Sequence, residues 1–164
     1  MPEPVVDVLR WYAVLGSAIM SGIFFAFSVF MLQSFNRLGP SQAISAMQAI
    51  NSGIGTPLFG LAFGGTALVV LILGGASIFD LGNRSAVVAL TGSVLFLLGS
   101  LMITIAFNIP LNNTLDALDP NSSSAAANWS SFVDNWLSWN HARTVLTLAS
   151  TVFFILAIRD SAGS

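Results

Sequence analysis

The chain contains no cysteine, and His141 is its single histidine. Without cysteine there is no disulfide, no thiolate nucleophile and no sulfur ligand for a metal, and the redox compartment stays open. Zinc and copper sites use three or four protein ligands, which one histidine does not supply. There is also no GxSxG elbow, no phosphate-binding loop and no dinucleotide fingerprint in a fitting context. These absences argue against the commonest thiol, metal and nucleotide chemistries.

Lysine is absent too, and charged residues make up only 7% of the chain. The formal net charge is −2, and the five arginines lie one per junction between apolar stretches. Recognition of a nucleic-acid duplex needs several phosphate contacts from one concentrated positive face. No nucleic-acid partner is therefore expected.

Apolar residues are what the sequence has in abundance: 55% of its 164 residues are hydrophobic, and the mean hydropathy is +0.83. A bilayer core needs about 20 mostly apolar residues per helical span. Four stretches meet that requirement, so the sequence predicts an all-α integral membrane four-helix bundle, a single domain over residues 1–164, in contact with membrane lipids. The predicted spans are 11–35, 57–79, 85–107 and 142–158.

The arginine distribution predicts the orientation of the bundle. Arg10, Arg84 and Arg159 lie on the side of both termini, against Arg37 and Arg143 on the other side. Because positive residues favour the inner face, both termini are predicted to be cytoplasmic, in a bacterial plasma membrane. The first span is longer than the apolar part of a signal peptide, so it is expected to be retained.

Two helical segments are predicted outside the four spans. Residues 42–51 in the first loop have an amphipathic pattern, with Ser41 as the expected N-cap and Gly53 as the stop. This short helix should lie at the interface or fold back over the mouth of the bundle. In the third loop a Trp-rich helical pattern begins at Trp129 and should run directly into the fourth span.

Small residues recur along the first two spans, for example Gly60 and Gly64 at a four-residue spacing. Such a spacing lets helices approach closely. Packing within the bundle is the preferred interpretation, and the same faces would allow a homo-oligomer.

Polar and aromatic residues of loops one and three should meet, because four spans place both loops on one membrane face. Separate structural explanations exist for several of them. Two asparagines could satisfy backbone groups released by Pro110, which is expected to interrupt the helical hydrogen-bond ladder and to bias Ile109 away from helical geometry. If the helix continues through the proline, the two amides lie one turn apart and point in one direction. The tryptophans could form an interfacial belt, and His141 could be structural. The residues expected to converge are Gln48, Asn51, Asn108, Asn112, Trp136, Asn140, His141 and Arg143.

Arg143 at the start of a span is costly unless it is paired or reaches the interface. The candidate carboxylate partners on the same side are Asp116, Asp119 and Asp134. No span contains an acidic residue, which argues against a proton-coupled exporter.

Two motifs carry a resemblance to a known family. Asn108-x-Pro-Leu-Asn112 ends the third span, and Trp136-x-x-Trp-Asn-His-x-Arg143 leads into the fourth. Together they resemble the anthrone-oxygenase-like family of small four-span membrane proteins, many of which are catalogued only as a domain of unknown function. The resemblance implies that molecular oxygen converts an anthrone, a tricyclic phenolic ketone, into an anthraquinone without an evident metal or flavin. Family members often carry Asp directly after the second Asn of the first motif, where this chain has Asn113.

That resemblance leads to a specific hypothesis, in which the partners are a lipophilic anthrone-, phenol- or quinone-like compound and O2, and no cofactor is predicted. A haem or a metal from a neighbouring subunit stays open. His141 would be the general base, and Asn108, Asn112 and Asn140 would stabilise the developing oxyanion together with Arg143. Substrate contacts are expected from Trp136, Trp139, Gln48 and Asn51. Two alternatives remain: a non-catalytic membrane module that binds a lipophilic ligand or a partner protein, and a cluster that only braces the ends of the bundle.

Overall fold

A computed structural model describes residues 1–162 as five helices joined by short connections. They are α1 (Glu3–Asn36), α2 (Pro40–Gly53), α3 (Pro57–Asp80), α4 (Arg84–Asp116) and α5 (Ala125–Ala162). No strand occurs in this part of the chain. The predicted all-α four-helix membrane bundle is thereby confirmed.

Helices α1, α3, α4 and α5 are long and apolar enough to cross a membrane, with mean hydropathies between 1.6 and 2.3 in their most apolar windows. Large apolar side chains such as Leu15, Leu68 and Val145 are exposed on the outside of the bundle. Because a membrane replaces water with hydrocarbon along these faces, their exposure costs nothing there. The chain is an integral membrane protein. The start of α1 and the end of α5 lie at the same end of the bundle, where Arg10 donates to Ser85 and Ser85 donates to the carbonyl of Ala157. The side of the membrane that this end faces stays a prediction.

Helix α5 packs along both α1 and α4, and α3 closes the bundle against the same two neighbours. One apolar core cluster includes the fully buried Val70, Phe96 and Phe154. Hydroxyl groups also link the helices, for example Thr151 Oγ1 to Ser17 Oγ at 2.9 Å. Small and hydroxyl-bearing residues are what allow close helix packing where no hydrophobic effect operates.

At the opposite end of the bundle, α2 folds back over α4 and α5. Its buried residues Ala43, Ile44 and Met47 form a second apolar cluster with Leu115 and the Trp-rich start of α5. Of the two positions that the sequence left open for this helix, α2 therefore takes the one over the bundle mouth and does not lie apart on the membrane surface. The predicted stop at Gly53 is confirmed.

The start of α2 differs from the prediction. Pro40 is its first residue and Gly39, with φ of 84°, precedes it, so Ser41 is not the N-cap. Ser41 lies inside the first turn and its hydroxyl donates to Asn121 Oδ1 at 2.9 Å. Proline is well suited to the first turn because its missing N–H has no partner there anyway.

The expected bias of Ile109 away from helical geometry is wrong. Helix α4 continues through Pro110 to Asp116, and Ile109 is helical, with φ −62° and ψ −49°. The chain instead widens into π-helical turns at Leu97–Met102 and Thr104–Asn108, just before the proline. A wider turn accommodates the proline ring and its missing N–H while the helix keeps its direction.

The helices also extend beyond the predicted spans: α1 begins at Glu3, and α5 begins at Ala125 and contains the whole Trp-rich segment. The predicted continuity of that segment with the fourth span is confirmed. Two further π-helical turns occur, at Phe27–Met31 in α1 and Leu61–Gly65 in α3. Three of the four helices that span the membrane therefore depart from α geometry, and such turns are frequent at functional sites.

Candidate functional site

A cavity of about 700 Å³ lies between all five helices, at the end of the bundle opposite the termini. Aromatic rings form much of its wall. Phe59 and Phe63 of α3 stack with their centroids 6.0 Å apart, and Phe27 of α1 contacts Trp136 of α5 at 5.5 Å. Flat aromatic walls favour a flat aromatic ligand, because aromatic pairs gain from offset and tilted contacts.

Helix α4 supplies a polar stripe to this otherwise apolar cavity. Thr104, Asn108, Asn112 and Asp116 all line it, at a constant spacing of four residues. Residues four apart lie on nearly the same face of a helix. The continuation of α4 beyond Pro110 is what extends this stripe to the outer end of the cavity.

The two asparagines of the first motif bind α5. Asn108 Nδ2 donates to the carbonyl of Trp136 at 3.4 Å, and Asn112 Oδ1 accepts from Trp136 Nε1 at 2.8 Å. The alternative in which these amides satisfy backbone groups released by Pro110 is therefore wrong. Both side chains line the cavity, and Trp136 is anchored between them as part of its wall.

Arg143 is buried at the inner end of the stripe, with 6% of its surface exposed. Its Nη1 donates to Thr104 Oγ1 at 2.9 Å and its Nη2 to Asn140 Oδ1 at 2.6 Å. The guanidinium lies 4.2 Å from the ring centroid of Phe24 and 5.2 Å from that of Trp136. These cation–π contacts stabilise the charge but do not neutralise it.

The expected carboxylate partner of Arg143 is not found. None of the ion pairs within residues 1–162 includes Arg143, and its Nε has no hydrogen-bond partner there. The candidate Asp116 lies in the same cavity but accepts instead from Asn51 Nδ2 at 2.8 Å. Asn51 lines the cavity beside this carboxylate, at the outer end.

Asn140 is fully buried behind Arg143 and does not line the cavity. Its Nδ2 donates to the carbonyl of Phe24 and to Ser28 Oγ, both at 2.8 Å, while its Oδ1 accepts from Arg143. The expectation that this amide contacts the substrate is thus corrected. Its contacts position the guanidinium instead.

Three more predicted residues lie outside the cavity. His141 is exposed, because one residue along a helix turns the side chain about 100° away from Asn140. Trp139 stacks on Phe107 on the outside of the bundle, with the two ring centroids 3.6 Å apart. Gln48 donates to the backbone carbonyls of Leu115 and Leu118, at 2.9 and 3.1 Å, where the chain leaves the end of α4.

The sequence interpretation missed the aromatic residues of the first two spans and Thr104. A signal existed for some of them, since Phe59 and Phe63 are four residues apart, and so are Thr104 and Asn108. Within residues 1–162 no group of three His, Asp or Glu side chains is placed to hold a metal ion. The groups that face the cavity can instead bind a flat ligand on rings and polarise its oxygen atoms with Arg143 and the amides of α4.

A search of curated proteins and a search of solved structures found no match. The sequence model of the family described as anthrone oxygenase matches residues 51–153, more than half of the chain, including both motifs and the cavity residues of α4 and α5. The chain belongs to the anthrone oxygenase family.

Proposed function

We propose that this protein is a membrane-embedded oxygenase that oxidises a lipophilic anthrone-, phenol- or quinone-like compound in the cavity between its helices. Family membership supports an oxygenase-like role. The observation that carries the proposal is the placement of Arg143, a buried cation with no carboxylate partner, in a cavity walled by aromatic rings. Such a site suits an aromatic ligand that carries negative charge on oxygen during the reaction.

The reaction requires little from the protein. An anthrone that loses a proton from the carbon opposite its carbonyl becomes an anion that passes electrons to O2. One oxygen atom remains on that carbon as the new carbonyl, and the other leaves as water with the two hydrogens that the carbon carried. Arg143 would stabilise the charge on the original oxygen, and the amides of Asn108 and Asn112 would orient the ring system. Both the apolar substrate and O2 are concentrated by the bilayer.

The proposal is tested by oxygen uptake of the purified full chain in detergent with 1,8-dihydroxyanthrone as the probe. We expect one anthraquinone to form for each O2 consumed, at a rate well above that of protein-free micelles. Anthraquinone formation is followed by its visible absorbance, and elemental analysis with a visible spectrum of the same preparation identifies any metal or haem that it carries.

A second candidate function is non-catalytic binding of a lipophilic ligand. It is favoured by the exposed position of His141, which leaves the expected general base outside the cavity. Binding of the anthrone without oxygen uptake above the background rate would support this second function and refute the first.

Replacement of His141 by alanine should leave oxygen uptake within about two-fold of the wild type, because the side chain is exposed and does not line the cavity. The measurement is kcat and KM for the same anthrone. A loss of more than ten-fold in kcat would return the imidazole to the mechanism and contradict the geometry of the site.

A further inference from the structure

We propose that the cavity binds its ligand as an oxygen-centred anion, a phenolate or enolate, and that Asn140 is a positioning residue that keeps the charge of Arg143 available to it. The choice of ligand class rests on the proposed function. The binding itself does not depend on turnover.

Neutral groups surround the guanidinium of Arg143. Its hydrogen-bond partners, Thr104 and Asn140, are neutral, and so are the rings of Phe24 and Trp136 that face it. A guanidinium stays protonated and offers five N–H donors, and within residues 1–162 two of these hydrogen bonds are made to protein atoms. Intramembrane arginines usually pair with another ionisable group or with backbone carbonyls. An anionic ligand in the cavity can therefore act as the acidic partner that Arg143 lacks.

Hydrogen bonds fix the orientation of the Asn140 side-chain amide. Thr144 Oγ1 donates its single proton to the carbonyl of Asn140, so the hydroxyl of Ser28 must donate to Thr144 and accept from Asn140 Nδ2. Nδ2 also donates to the carbonyl of Phe24. These contacts place Oδ1 toward Arg143 at 2.6 Å, a distance at which a carboxylate would form an ion pair. An amide orients the guanidinium without neutralising it.

Within residues 1–162, Asp116 is the one charged residue besides Arg143 that lines the cavity. Helices α1, α2 and α3 contribute no charged residue to its lining. On α4 the carboxylate of Asp116 lies twelve residues from Thr104, about 18 Å along a helix. His141 on α5 is exposed outside. In a low-dielectric site, a ligand oxygen beside Arg143 therefore experiences one dominant charge, and it is positive.

The experiment uses 2-hydroxyanthraquinone, a flat phenol whose colour changes when its single hydroxyl ionises. The full chain in non-ionic detergent is titrated with pH and the visible spectrum of the bound probe is recorded. We expect the ionisation midpoint to fall by at least about one pH unit relative to protein-free micelles, which corresponds to ten-fold tighter binding of the anion than of the neutral phenol.

The decisive variant is Asn140→Asp, which places a carboxylate where the amide oxygen contacts Arg143. The downward shift of the midpoint should disappear because the carboxylate neutralises Arg143, and thermal unfolding shows whether the fold survives loss of the two hydrogen bonds that the amide donates. Arg143→Met removes the charge without adding a carboxylate and should give the same loss of shift. The matched control is Asn135→Asp, which adds the same charge at an exposed position of α5 and should keep the shift.

Any one of three results would overturn the inference. The first is no detectable binding of the probe, and the second is a wild-type midpoint equal to that in empty micelles. The third is a midpoint shift that survives in both Asn140→Asp and Arg143→Met. Oxygen uptake is measured on the same preparations. A shifted midpoint without uptake would refute the proposed oxygenase function and leave anion binding standing, whereas uptake without a shift would do the reverse.

Discussion

Arg143→Met should lower kcat/KM for oxygen uptake with 1,8-dihydroxyanthrone by at least about 100-fold. In the proposed reaction the guanidinium stabilises negative charge on the substrate oxygen, and removing one such donor in other enzymes costs about 100- to 1,000-fold. Arg143→Lys should be intermediate, because an ammonium keeps the charge but cannot contact Thr104 and Asn140 at once with a planar fork. The measurement is the initial rate over a range of anthrone concentrations.

The matched control is Arg159→Met, which removes an exposed arginine of the same helix that pairs with Asp160 near the termini. Its oxygen uptake should stay within about two-fold of the wild type. Thermal unfolding of both variants in detergent separates loss of function from loss of fold. A folded Arg143→Met protein that keeps more than a tenth of wild-type kcat/KM would show that the buried charge does not serve the reaction.

Gly16→Ala should destabilise the bundle by overpacking the contact between α1 and α3. A Cβ at this position would contact Thr66 Oγ1 of α3 and lie 2.8 Å from both Cβ and Cγ2 of the same residue. Thr66 is fully buried and β-branched, so it has little freedom to move away. Overpacking of this kind costs about 1–3 kcal/mol. We expect a lower unfolding temperature in detergent, measured by intrinsic tryptophan fluorescence.

The matched control is Gly22→Ala on the same helix, where an added Cβ has no heavy atom within 4 Å. Its unfolding temperature should be unchanged or slightly higher, because alanine favours the helix over glycine. The double variant Gly16→Ala with Thr66→Ala should recover most of the loss, since the two residues interact directly. Equal unfolding temperatures for the two alanine variants would contradict the close approach of α1 and α3.

The number and order of the spanning helices could be predicted because the hydrophobic length requirement is local to each segment. The residues at which these helices begin and end could not be predicted. The bilayer sets a minimum length, but α4 continues to Asp116 and α5 begins at Ala125 because α2 buries Ile44 and Met47 against those extensions. Only contacts between distant segments decide how far a helix continues beyond the membrane. The effect of Pro110 was misjudged for a related reason, since the π-helical turn Thr104–Asn108 keeps the helix intact and local rules favoured a break.

The sequence by itself determined that this chain crosses a membrane four times and which polar residues its motifs bring to one end of the bundle. The tertiary structure decided which of those residues face the cavity. Asn140 and His141 are neighbours in one motif, yet the first is buried behind Arg143 and the second is exposed. Adjacent residues of a helix differ by about 100° in direction, so the face that each one presents depends on where α1 and α4 pack. The unpaired charge of Arg143 is likewise a tertiary property, because it depends on the neutral partners that α1, α4 and α5 place around it.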